Sequence, residues 1–119
     1  MNITNLFMIL FGILSGSFGG ILLKKGAVEI NYDNNLFYIL ITVVSNWKIL
    51  CAIVLYFIPV IIWLYLLKRI ELTLLQPILS LTYVVTPLLA IVFLDEKISI
   101  IRWVGIVIIV IGVVIVSRS

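Results

Sequence analysis

The chain has 119 residues, of which 65% are hydrophobic and only 11% charged, and its mean hydropathy is +1.39. A soluble domain covers its surface with about 25% charged residues, so this composition excludes a water-soluble fold and places the chain in a bilayer. The net charge of +3 comes from basic residues scattered over segment ends, with no cluster of the kind that binds nucleic acid. One cysteine, Cys51, and no histidine exclude an intrachain disulfide and a Cys/His zinc site.

Apolar runs of about 20 residues cross a bilayer as helices, and four are expected in one membrane domain covering 1–119. The first spans 3–23 and is closed by Lys24 and Lys25. It lacks a basic leading region and its apolar stretch is too long for a cleaved signal peptide. Its residues Gly12, Gly16 and Gly20 recur four apart, with Ser15 and Gly19 beside them, which puts small residues along one stripe. The stripe has two readings: close helix packing of the GxxxG kind, or space left for a substrate.

Gly26 reads as a helix C-cap, and Asn31, Asp33, Asn34 and Asn35 as a turn. An apolar run over 36–44 is too short to span and reads as an interfacial or packed helix. Ser45 and Asn46 are placed to cap the second membrane helix, expected over 49–67, with Trp47 and Lys48 as interface anchors. Tyr56, Pro59 and Trp63 share one face of it, as belt anchors or as an aromatic cavity wall. Cys51 reads as a small buried hydrophobe.

The third helix, 72–94, carries the most polar face of the chain: Gln76, Ser80, Tyr83 and Pro87 at i, i+4, i+7 and i+11. Lipid offers these groups no partner, so the face should look inward, as interhelical glue or as a lining for a polar substrate. Pro77 and Pro87 each deprive a carbonyl of its helical donor and mark bends. The fourth helix, 98–117, is a β-branched run with Gly105 and Gly112 seven apart, read as a helix–helix interface between subunits. Arg102 near its start is expected to snorkel to the interface.

Short connections after the second and third helices force an up-and-down arrangement. Lys24, Lys25, Lys48, Lys97 and Arg102 then fall on one side, and Lys68, Arg69 and Arg118 on the other. This bias is weak, and favours a cytoplasmic first and third connection. The five acids, Glu29, Asp33, Glu71, Asp95 and Glu96, all lie at ends or in connections. An intramembrane carboxylate is the usual proton relay and counter-ion for a cation, so proton-coupled export of cations through such a group is excluded. Lys24, on the flank of the glycine stripe, suits a phosphate at headgroup depth or a plain interfacial anchor. No arrangement for catalysis occurs at mid-membrane; no enzyme activity, metal or cofactor is expected.

Four helices in 119 residues, with Gly12-Ile-Leu-Ser-Gly-Ser-Phe-Gly-Gly-Ile-Leu-Leu-Lys-Lys-Gly26 in the first, resemble the four-helix members of the drug/metabolite transporter superfamily. The closing stretch from Phe93 through Asp95, Glu96, Gly105 and Gly112 is similar to that superfamily's final hairpin. Gln76-Pro-Ile-Leu-Ser-Leu-Thr-Tyr-Val84 looks closest to subunits that translocate undecaprenyl-phosphate-linked aminoarabinose. The run 36–44 is longer than in those subunits. The small multidrug resistance exporters, the other four-helix branch, keep an essential Glu in helix one. Counting back from Lys24 to its place lands on Gly16, flanked by Ser15 and Ser17. The departure speaks against drug/proton exchange.

The resemblance implies an all-α, small multidrug resistance-like bundle in the cytoplasmic (inner) membrane. It implies a dimer packed through helix four, either a homodimer or a heterodimer with a paralogue. The leading expectation is a flippase for a polyprenyl-phosphate-linked sugar or similar anionic amphiphile. Lys24 would hold the phosphate, and Gln76, Ser80 and Tyr83 the headgroup. Ser15 and Gly16 would give it space, and Tyr56 and Trp63 would form an aromatic wall. The alternatives are a small-molecule or multidrug exporter lacking the central carboxylate, and an accessory subunit of such a transporter.

Overall fold

The computed structural model describes residues 3–119, and these residues form helices and connections only. In chain order the helices are α1 (Ile3–Ala27), α2 (Leu36–Ser45), α3 (Trp47–Leu67), α4 (Leu72–Leu79), α5 (Thr82–Phe93) and α6 (Ile100–Arg118). Four segments are long and apolar enough to cross a membrane: α1, α3, the α4–α5 pair taken together, and α6. The chain is therefore an all-α, multi-pass membrane protein, with the shorter apolar α2 set between its first two spans.

The differences from the expected boundaries have local causes. α1 runs past its two lysines, and Gly26 is not a cap. It sits buried in the last helical turn, where an added Cβ would come within 2.6 Å of Ile49 Cγ1. No glycine among the described residues has a positive φ. Gly26 thus serves the approach of α1 to the start of α3. Asn46 alone separates α2 from α3, ending one helix and capping the next: its side chain accepts from the Lys48 N–H at 3.0 Å. The same side chain donates to the Gly26 carbonyl and to Glu29, and Lys48 pairs with Glu29. This fastens the base of the long connection. α6 starts at Ile100, with Ser99 accepting from the Arg102 N–H. Cys51 lies on the outer surface of α3 rather than in the core. The helix is apolar all round, so apolar sequence gave no sign of which side faces lipid.

The third span is broken. Pro77 lacks the N–H that would complete the first helical turns. The chain then tightens into i→i+3 bonds, from Ser80 N to the Pro77 carbonyl at 3.1 Å, Leu81 N to Ile78 at 3.1 Å and Tyr83 N to Ser80 at 2.9 Å. Ser80 Oγ donates to the Pro77 carbonyl and Thr82 Oγ1 to the Leu79 carbonyl. Hydroxyls thereby satisfy backbone that lipid would leave bare.

α1 packs chiefly on α3 and then on α5, while α6 leans on α4 and α5. The core gathers Ile9, Ile13, Leu66, Ile70, Leu75, Ile78 and Val113. These residues come from the first half of α1, the end of α3 and the connection after it, α4, and the second half of α6. They therefore close the bundle at the end where α1 begins. At the other end α1 joins α3 through Gly19 and Gly26 against Ala52, Leu55 and Ile49, and meets α5 through Phe18 against Phe93.

Candidate functional site: a groove beside the broken helix

A cavity of about 800 Å³ lies between α1, α3 and the break in the third span. α1 contributes Gly16 and Gly20, α3 contributes Tyr56, and the broken span contributes Gln76, Pro77, Leu79, Ser80, Thr82, Tyr83, Thr86 and Pro87. Missing side chains on α1 make the room: a Cβ at Gly20 would stand 3.3 Å from Tyr56 Oη and 3.6 Å from Thr86 Cγ2. The lining holds one amide and five hydroxyls, and no ionisable carboxylate or cation. Such a surface hydrogen-bonds neutral polar groups and offers a charge no counter-ion.

The glycine stripe divides between its two readings. Gly19 lies against α3, with an added Cβ only 3.3 Å from the Ala52 carbonyl oxygen and from Leu55 Cβ. That is packing. Gly16 and Gly20, on the adjacent edge, border the groove.

The residues singled out in the sequence are distributed unevenly over this region. Gly16, Tyr56, Gln76, Ser80 and Tyr83 meet around the groove. Trp63 stands in a smaller adjoining cavity of about 230 Å³, which shares Gly16, Tyr56, Leu79 and Thr82 with it. Ser15 points elsewhere: its Oγ donates to the Leu55 carbonyl at 2.7 Å. Leu55 lies four residues before Pro59, so this carbonyl is the one Pro59 leaves without a helical donor. Lys24 is exposed and lines neither cavity. Gly105 and Gly112 lie on α6, where an added Cβ would meet nothing within 4 Å.

Thr82 and Thr86 were not among the expected residues, whereas Gly20 was, as part of the glycine stripe. Thr86 continues the stripe three residues past Tyr83 and was legible there. Thr82 was not, because it reaches the groove only through the break at Ser80 and Leu81, which shifts the helical phase of α5 against α4.

Broken membrane helices occur where backbone lines a protected cavity rather than lipid, a recurring feature of transporters. The fold and the groove thus define a multi-pass membrane protein with a polar, uncharged path beside a discontinuous helix. A family model for EamA-like transporters matches residues 3–118. The chain belongs to the EamA-like transporter family, within the drug/metabolite transporter superfamily. No curated protein and no solved structure matches it.

Proposed function

We propose that this transporter translocates a polyprenyl-phosphate-linked sugar or a similar anionic amphiphile across the cytoplasmic membrane. The supporting observation is the hydroxyl-rich, uncharged groove at the break of the third span. Moving a sugar through hydrocarbon strips its hydrogen bonds, at several kcal/mol for each group left unsatisfied. Gln76 and Tyr83 replace those bonds, Ser80, whose hydroxyl proton goes to the Pro77 carbonyl, adds an acceptor, Gly16 gives space, and Tyr56 provides an aromatic wall continued by Trp63. The tail stays in lipid beside the groove. Ser15 supports the wall by holding the carbonyl freed by Pro59. Lys24, at the end of α1, offers a cation at headgroup depth. The small multidrug resistance-like assembly belongs to this reading: a dimer through α6, of two copies or of a copy and a paralogue.

A carboxylate-free small-molecule exporter is the second reading. It is favoured by a groove wide enough to admit ligands without a tail. An accessory subunit that only stabilises a partner is the third.

The test is lipid flipping in vesicles, joined to mass spectrometry of lipid that co-purifies. Wild-type protein should carry a polyprenyl phosphate derivative and move it, and Gln76→Ala should slow translocation by about tenfold. Unchanged translocation in Gln76→Ala would remove the role of the groove. Dye export without lipid movement would instead select the exporter.

A further inference from the structure

α6 places Arg102, Ile106, Ile109 and Val113 at i, i+4, i+7 and i+11, which is one helical face. Val113 is buried, and Ile106 and Ile109 are half-buried against the bundle. Arg102 is itself exposed, at the start of the helix, on the same side as these three residues. It lines a second cavity of about 420 Å³ between α5 and α6. This cavity shares Thr86 and Pro87 with the hydroxyl-lined groove, so the two adjoin, with Arg102 on the Lys24 side. Arg102 is the one cationic residue lining either of these two cavities. The ion pair found among the described residues, Glu29 with Lys48, does not involve it.

We propose that Arg102 is the phosphoryl-binding residue of this transporter: the hydroxylated part of the substrate occupies the groove while its phosphate sits on Arg102. The inference rests on the groove being the substrate path, and not on the substrate having a lipid tail. A guanidinium presents a planar fork of donors that matches phosphate oxygens two at a time, which a lysine does not. The uncharged groove has nothing to neutralise an anion, so a charged substrate needs its counter-ion at one end. The end opposite the packed core is where Arg102 stands. Glu96 lines the same cavity, and its carboxylate opposes an anion.

Native mass spectrometry of the purified protein, titrated with polyprenyl phosphate, neutral polyprenol and glucose 1-phosphate, tests the assignment. Arg102→Gln should weaken phosphate-bearing probes about tenfold or more, and leave polyprenol unchanged. Arg102→Lys should recover part of the loss, and Glu96→Gln should tighten these probes by up to about fivefold. Weakening of glucose 1-phosphate alone keeps the phosphoryl site and removes the lipid-linked substrate. Equal binding of phosphate probes to wild type and Arg102→Gln would overturn the assignment, as would a wild type that binds neither phosphate probe.

Discussion

Ser15 shows how a polar residue in a membrane helix divides between structure and substrate. Its place in the glycine stripe pointed to the cavity, but its hydroxyl is already committed to the Leu55 carbonyl. That bond compensates Pro59, which sits inside α3 without an N–H to give. Ser15→Ala would leave a part-buried carbonyl unsatisfied, at a cost of about 1–3 kcal/mol. The expected outcome is a lower melting temperature in detergent with the affinity of the folded fraction unchanged. A variant with native stability and weakened substrate binding would return Ser15 to the cavity wall. The hydroxyl of Ser17 has no hydrogen-bond partner among the described residues although it is fully buried. The two neighbouring serines are thus energetically opposite, and the sequence alone treats them alike.

At the scale of elements, the long connection is held by charge and the third span is weakened by proline. Lys48 hydrogen-bonds Glu29 and lowers its carboxyl below the ordinary carboxylate range, with a further hydrogen bond from Asn46. A lowered folded-state value contributes stability that is present above the unfolded value and lost as pH falls through the folded one. Protection of the amides around Ile30 and in α2, taken as exchange relative to the intrinsic rate at each pH, should therefore fall in acid. Glu29→Gln should show the lower protection already at neutral pH. Within the third span, Pro77→Ala restores a backbone donor ahead of the break. Exchange at Leu81 to Val85 should slow as the helix becomes continuous, and translocation should fall as the groove loses its irregular wall. A faster transporter with a straightened span would show that the break is not needed. Helix number and the two prolines were legible from the sequence, because length, hydropathy and a missing N–H act locally. The phase shift carrying Thr82 into the groove was not, because it depends on how far the chain tightens after Pro77.

The whole molecule is asymmetric along the membrane normal. Ile9, Leu66, Leu75 and Val113 pack together toward one end, while the cavity beside the groove lies toward the end that carries Arg102 and Glu96. The described fold leaves α6 almost bare on one side, with Ile101, Val104, Ile108 and Ile115 all exposed. In lipid an apolar face needs no cover, so exposure alone does not define an interface; the small residues are what allow close approach. Gly105 and Gly112 separate here. Gly105 borders the α5–α6 cavity as well as the open face, whereas Gly112 is clear of the cavities described and of every neighbouring atom within 4 Å. A Cβ at Gly112 meets nothing in the protomer, so Gly112→Leu tests the proposed pairing through α6 with little strain on the fold. If α6 pairs through this notch, light scattering of the purified protein should show the particle mass falling from dimer to monomer. The thermal stability of the protomer should barely move. An unchanged dimer mass in Gly112→Leu would place the subunit contact on another helix. Gly105→Leu, by contrast, should both weaken pairing and narrow the path to Arg102, so transport should fall further than the loss of dimer explains.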